Sequence, residues 1–320
     1  TTVLGVFAIL WRLFGSVRTA ALGGALLVLN FTLFIQARIA MLDGFMGAFV
    51  VLAVAAMLWG MRERPVLWWT LGSVALGLAV AVKWAAAPFV AYAGLAFLLL
   101  KWRRSDRWPG LGPVRAMAIL GGASVATYFL TFAPAFLYAE RPLTPSSLLP
   151  FQLEMFRQQT QVLTPHTYQS QWWSWPVPLR PVWYLYEPVD GAMRGVLLVG
   201  NPVVMWGGLL AVAACLWAFL RHRDLRSGGV AALWLGSYLV WAVIPKSLGF
   251  FYYYYLPSIW LPIALAAACH RHSRGRLESA DETLLALAAG ALLYFYPILS
   301  AAPLARPDAF ERWTLLDSWV

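Results

Sequence analysis

Three cations stand almost alone beside apolar stretches: Arg38, Lys83 and Lys246. An ionisable side chain at membrane depth marks a functional position by default, although a long basic side chain at the end of a span also snorkels to the headgroups. A lysine is a point charge suited to phosphate, and an arginine fork holds two oxygens at once. The chemistry open to all three is neutralisation of an anion. Asp43 follows Arg38 by five residues, where it reads as a base, as a partner that orients Arg38, or as a residue that starts a helix. Glu154 is the other carboxylate near the same region and reads as solvated. The run Tyr252 to Tyr255 follows Lys246 and offers hydroxyl donors to the same anion, or an aromatic belt at the membrane surface.

A second group of residues lies between Glu140 and Asp190, the one long segment too polar and too rich in proline to sit in lipid. It holds His166 and Gln169 as hydrogen-bonding groups and Trp172, Trp173 and Trp175 as aromatic faces. A loop of this length is functional or disordered, and its aromatic content argues against disorder. Within it, residues 151–162 read as an interfacial helix with Leu149, Leu153 and Phe156 on one face. The proline-rich stretch from Trp172 to Trp183 reads as a rigid, extended path.

These groups need a scaffold, and the composition says which kind. The chain is 61% hydrophobic and 12% charged, with a mean hydropathy of +0.67. That describes a polytopic membrane protein, since a soluble domain carries about twice the charge. Apolar runs at 1–14, 20–37, 43–60, 67–82, 85–100, 114–138, 196–220, 230–246, 250–269 and 281–301 read as about ten spans. The domain organisation follows: spans over 1–139, the long loop over 140–190, and spans over 191–320. Lys83 and Pro88 interrupt one apolar run, which fits two spans or a broken helix.

The net charge of +10 does not imply a nucleic-acid partner, because the basic residues are spread over short connectors. Sorted onto alternate connectors, fifteen of the 24 Lys and Arg fall on one side and nine on the other. The richer side should be cytoplasmic, which places the long loop and both chain ends outside. Cys215 and Cys269 sit in or beside apolar runs and suggest neither a disulfide framework nor a metal site. No carboxylate cluster on the outer side supports a divalent metal. His222, His270 and His272 read as solvated on cytoplasmic connectors. The sequon at Asn30 lies in an apolar run that a modifying enzyme could not reach.

Several stretches in order resemble the protein O-mannosyltransferase family, in a bacterial form: Gln36 to Asp43, Lys83-Trp84, His166 to Ser170 with Trp172 to Pro176, Gly200-Asn201-Pro202, and Phe251 to Pro257. The resemblance implies the GT-C membrane glycosyltransferase fold, all-α and polytopic with a long extracytoplasmic loop. It also implies transfer of mannose, with inversion, from polyprenyl-phosphate-mannose to serine or threonine hydroxyls of exported proteins. The site would face the periplasm or cell exterior from the bacterial inner membrane. The donor is a substrate, and no cofactor is expected. The other partners are an exported protein or peptide and the bilayer, with dimerisation left open.

On this reading Arg38 and Asp43 are catalytic, and Lys246, Lys83, Tyr253 and Tyr254 bind the lipid phosphate. His166, Gln169, Trp172, Trp173 and Trp175 face acceptor or sugar. The family's base is an aspartate in an Asp-Glu pair of the first outer loop. The adjacent pair here, Asp281-Glu282, falls on the cytoplasmic side. The expectation is that the first helix and first outer loop, with the base, lie upstream of Thr1. Competing readings are a lipid A aminoarabinose transferase of the same fold, a lipid or sugar transporter, and an inactive partner subunit.

Overall fold

The computed structural model describes residues 1–244, 246–272 and 279–319. Arg274 and Arg276 of the richer cation set, and Pro245, lie outside the described residues. Twelve α-helices are present among the described residues: α1 (Thr2–Phe14), α2 (Val17–Val28), α3 (Phe31–Arg38), α4 (Leu42–Gly60), α5 (Pro65–Val82), α6 (Ala87–Arg103), α7 (Pro113–Leu130), α8 (Leu148–Gln159), α9 (Pro202–His222), α10 (Leu225–Leu239), α11 (Tyr255–His272) and α12 (Ala280–Leu299). A two-stranded sheet, β1 (Val182–Val189) and β2 (Ala192–Leu198), precedes α9.

Six of the helical segments (α4, α5, α6, α7, α9 and α12) are long and apolar enough to cross a membrane alone, α6 and α7 with the short helical turns that flank them. The molecule is a multi-span membrane protein. Helices α2 and α3 are long and apolar enough only as a pair, bent by 59° as a broken span or a re-entrant loop, where the sequence reads as one helix over 20–37. The break is at Asn30, which is fully buried and caps α3 by accepting from the Thr32 N–H. Its amide Nδ2 donates to the Ser258 carbonyl at 3.2 Å. That carbonyl is free because Pro262, four residues on in α11, has no N–H to offer it.

Two compact units are distinguished. The first comprises Thr1–Gly5, Phe45–Thr164 and residues 246–247. Its core is the close contact of α5 with α7, where a Cβ on Gly77 would lie 2.5 Å from the Ser124 carbonyl oxygen. Ser124 Oγ donates to the Ser73 carbonyl at 2.9 Å, so small residues bring the two backbones together. Trp69, Phe97 and Trp108 pack at ring-centroid distances of 4.7 to 5.8 Å around the end of this unit.

The second unit comprises Val6–Gly44, 165–244 and 248–319. Helix α11 is its centre: every residue from Tyr255 to Ala267 is buried, which is what an apolar sequence on all faces requires. Asn201 caps α9 ahead of Pro202, accepting from the Val203 N–H and donating to the carbonyls of Leu29 and Ala288, both at 2.9 Å. Asn201→Ala is expected to destabilise the protein by about 2–4 kcal/mol, through loss of the cap and of two side-chain hydrogen bonds to the Leu29 and Ala288 carbonyls. Thermal unfolding in detergent checks this. Asn201→Asp, which keeps the cap and loses the donor, should fall between the two; an unmoved midpoint in Asn201→Ala would refute the role.

The span expected at 196–220 begins at Pro202, because residues 196–198 belong to β2. The hairpin turns at Asp190 and Gly191, both at positive φ (50° and 76°), the geometry that a two-residue hairpin loop demands. The expected span at 230–246 is helical from Leu225 to Leu239, with a 3-10 turn over Val240–Ala242. The path from Trp172 is not extended: Trp172–Ser174 is a 3-10 turn followed by further turns, because local N–H groups find carbonyls three residues back. The helix expected at 151–162 is α8, Leu148–Gln159, and its Leu149, Leu153 and Phe156 are all exposed.

Candidate functional site

In the first unit, Lys246 lies within reach of the Lys83 charge. Lys83 ends α5 in an extended conformation, and Pro88 then starts α6 in its first turn. The adjoining Trp84 Nε1 donates to the Tyr128 hydroxyl at 2.9 Å, which itself donates to Gln152 of α8. At the far end of α8, Gln159 accepts from Lys246 Nζ through its side chain at 3.1 Å and its carbonyl at 3.4 Å. Ser247 Oγ donates to the Gln161 carbonyl at 2.9 Å. Partial withdrawal from water and the neighbouring Lys83 charge push the Lys246 ammonium below the ordinary lysine value. Two like charges held this way favour an anion between them.

In the second unit, Arg38 closes α3. Its guanidinium donates to the carbonyls of Leu299 (3.3 Å) and Ser300 (3.4 Å) at the end of α12. This is a favourable place for a cation, and the group also lies 5.2 Å from the Phe34 ring centroid. The link to α4 is tight: Ala40 has a φ of +50°, and the Met41 N–H donates to the Gln36 carbonyl at 3.0 Å. Asp43 follows in the first turn of α4 and is 2% exposed.

The Asp43 charge reaches four tyrosines, Tyr184, Tyr252, Tyr253 and Tyr255. Burial and that charge push the Tyr184 hydroxyl upward, so it stays protonated. The rings of Tyr252 and Tyr253 pack together, with centroids 4.6 Å apart. Tyr254 is turned elsewhere: it is fully buried and its hydroxyl accepts from Trp234 Nε1 at 3.0 Å. Tyrosines 253 and 254, grouped by sequence, therefore have different surroundings.

The loop residues also divide. The Tyr168 N–H donates to His166 Nδ1 at 3.1 Å, which places the proton of the neutral ring on Nε2. Gln169 Oε1 accepts from the His166 N–H at 3.3 Å, and Phe250 packs edge-on against the His166 ring at 5.3 Å. The loop is docked by the Ser170 N–H on the Gly249 carbonyl at 2.8 Å. A Cβ on Gly249 would sit 2.5 Å from the Ser170 carbonyl, so only glycine allows that approach. Trp175 is buried against Trp241 and Tyr253 and donates to Ser170 Oγ at 3.0 Å. Trp172 packs on Tyr238, while Trp173 is 61% exposed.

Two families of sequence pattern match the chain: "Dolichyl-phosphate-mannose-protein mannosyltransferase" over residues 1–142 and "C-terminal four TMM region of protein-O-mannosyltransferase" over residues 145–319. The chain belongs to the protein O-mannosyltransferase family. The polyprenol-phosphate-mannose--protein mannosyltransferase of Mycobacterium tuberculosis is 28% identical, over 98% of this chain and 73% of its own length. That of Mycolicibacterium smegmatis is 27% identical, over 99% of this chain and 75% of its own. An S. cerevisiae protein O-mannosyltransferase complex, solved bound to the sugar donor, superposes with a TM-score of 0.83 at 12% identity, over all of this chain and 79% of that one. The fold is therefore that of a protein O-mannosyltransferase, a GT-C-type helical membrane enzyme.

For this O-mannosyltransferase, several polar residues turn out to be structural. His270 is not simply solvated: its Nδ1 lies 2.9 Å from Thr19 Oγ1 and its ring packs on Phe14 at 4.9 Å. The pair Asp281-Glu282 opens α12 and engages Arg18, at 2.6 Å and 3.8 Å. Glu154 is exposed and 3.7 Å from Arg157. Among the described residues, no three His, Cys, Asp or Glu side chains gather where they could share a metal ion. The residues that sequence reasoning passed over are Gln36 and Tyr184. Gln36 lies inside the stretch that carries the family resemblance, but nothing in its local pattern separates it from a lipid-facing or core glutamine.

Proposed function

We propose that this chain transfers mannose, with inversion, from polyprenyl-phosphate-mannose to serine or threonine hydroxyls of an exported protein, at the outer face of a bacterial inner membrane. The observation that carries the reading, beside family membership, is Lys246, held by Gln159 of α8 and within reach of the Lys83 charge, an arrangement that suits a lipid phosphate. Loss of that phosphate from the sugar leaves negative charge, and cations fixed nearby stabilise it as it develops. Within the second unit, Arg38 offers a guanidinium to an anion, and Asp43 is a buried carboxylate suited to a carbon that becomes positive. His166 Nε2, Gln169 and the exposed Trp173 are offered to the acceptor peptide. The uneven split of basic residues between connectors supports the orientation. The enzyme works without a cofactor. A second copy is a further partner, which the two-protein S. cerevisiae complex supports.

The test is transfer from polyprenyl-phosphate-mannose to a threonine-containing peptide in detergent, with lipid A as the competing acceptor. Mannosylated peptide is expected. Arg38→Ala should lower kcat/KM by about 10²-fold, and Arg38→Lys should recover only part, since lysine lacks the planar fork. Release of polyprenyl phosphate with lipid A alone would replace the protein acceptor with a lipid one. Full activity in Arg38→Ala would remove Arg38 from the site and confine it to the end of α12.

A further inference from the structure

Gln36 is fully buried on α3, with Nε2 3.4 Å from the Tyr184 hydroxyl and Oε1 without a hydrogen-bond partner among the described residues. Exchanging the two amide ends would give Tyr184 an acceptor and orphan the nitrogen instead. Either way one end of the amide is buried and unpaired, which costs free energy and calls for an explanation. Tyr184 is aimed at it by a backbone irregularity. Trp183 pairs with Leu197 and Leu185 with Val196, so Tyr184 is the extra residue of a β-bulge, a device that re-aims a side chain beside a functional site.

The surroundings define what would complete the amide. Asp43 is buried nearby and, when ionised, only accepts hydrogen bonds. Tyr184, Tyr252 and Tyr253 bring hydroxyls that donate and accept, and Trp175 and Trp241 pack on Tyr253 with their ring faces. The nearby cation, Arg38, is directed to the carbonyls of α12. A set of acceptors, hydroxyls and aromatic faces, with the Arg38 guanidinium held on the carbonyls of α12, is weighted toward a neutral group. It suits a neutral polyol whose hydroxyls both donate and accept.

We propose that the Gln36 amide, positioned by the bulge residue Tyr184, reads one ring hydroxyl of the transferred sugar and so contributes to the choice of hexose. This rests on the donor reading given above. The test measures kcat/KM for polyprenyl-phosphate-mannose and for a series of monodeoxy-mannose donors, with wild type, Gln36→Met and Tyr184→Phe. Methionine matches glutamine in length and removes both polar ends, and monodispersity with thermal unfolding reports whether each variant folds.

Wild type is expected to disfavour one deoxy donor by about tenfold or more, the value of one neutral hydrogen bond. Gln36→Met should lose that discrimination at that position while keeping it at the others, and Tyr184→Phe should weaken it at the same position. An unchanged discrimination profile in both variants overturns the subsite and leaves mannose transfer standing. Failure of folded wild type to bind polyprenyl-phosphate-mannose overturns the donor reading on which the subsite rests. If Gln36→Met does not fold, the profile of Tyr184→Phe decides alone.

Discussion

Asp43→Asn lowers kcat by about 10²- to 10³-fold, the scale of one preorganised electrostatic contact, and leaves the KM for the donor little changed. Asparagine keeps the size of the side chain and its ability to begin a helix, and it removes only the charge. That charge is buried in the first turn of α4 among the hydroxyls of Tyr184, Tyr252 and Tyr253. As a lipid phosphate leaves, the sugar carbon becomes positive in the manner of an oxocarbenium ion, and a carboxylate shielded from water stabilises it more than one in solvent. Steady-state kinetics with the lipid donor and a peptide separate the two constants. A kcat equal to that of wild type would reduce Asp43 to a helix-start residue.

Replacing both Lys83 and Lys246 by alanine lowers kcat/KM by about 10³-fold, and the single replacements together exceed the double, because both cations serve one anion. The pH profile is diagnostic. Lys246 must be charged to hold phosphate, and its ammonium is pushed below the ordinary lysine value by burial and by Lys83. Donor use therefore declines as pH rises through that lowered value, earlier than for an ordinary lysine. Stability runs the other way: the cost of charging Lys246 in the fold is present below its folded value and gone above its unfolded one. Lys83→Met removes the repulsion and should move the alkaline limb of kcat/KM to higher pH. A limb that stays in place in Lys83→Met would refute the pairing.

The membrane architecture was legible because it depends on composition over about 20 residues, which lipid enforces without tertiary help. The helices other than α8 lie along the apolar runs, with the run 20–37 broken in two, and the shared face of α8 was readable from three residues. The bend at Asn30 was not, because a cap inside an apolar run is recognisable only once a partner carbonyl, here of Ser258, is seen to be free. The hairpin carried a local sign in Asp190-Gly191, flanked by aromatic and β-branched residues. It was masked because Val196 to Val199 join the apolar run that leads into α9, and Pro188 weakens a strand pattern.

By itself the sequence determined a multi-span membrane protein, isolated cations suited to an anion, and an aromatic polar loop, since each follows from residue type and local spacing. Only the tertiary structure decided which of these residues work together. Lys246 comes within reach of the Lys83 charge across 163 positions of chain, and α8 carries Gln159 to it. Tyr253 and Tyr254 part company because a 3-10 turn points neighbouring side chains in different directions. Gln36 acquires its meaning from Tyr184, 148 residues away. Such pairings depend on register, bulges and close glycine contacts between distant segments, and the spacing of residues along one chain does not encode them locally.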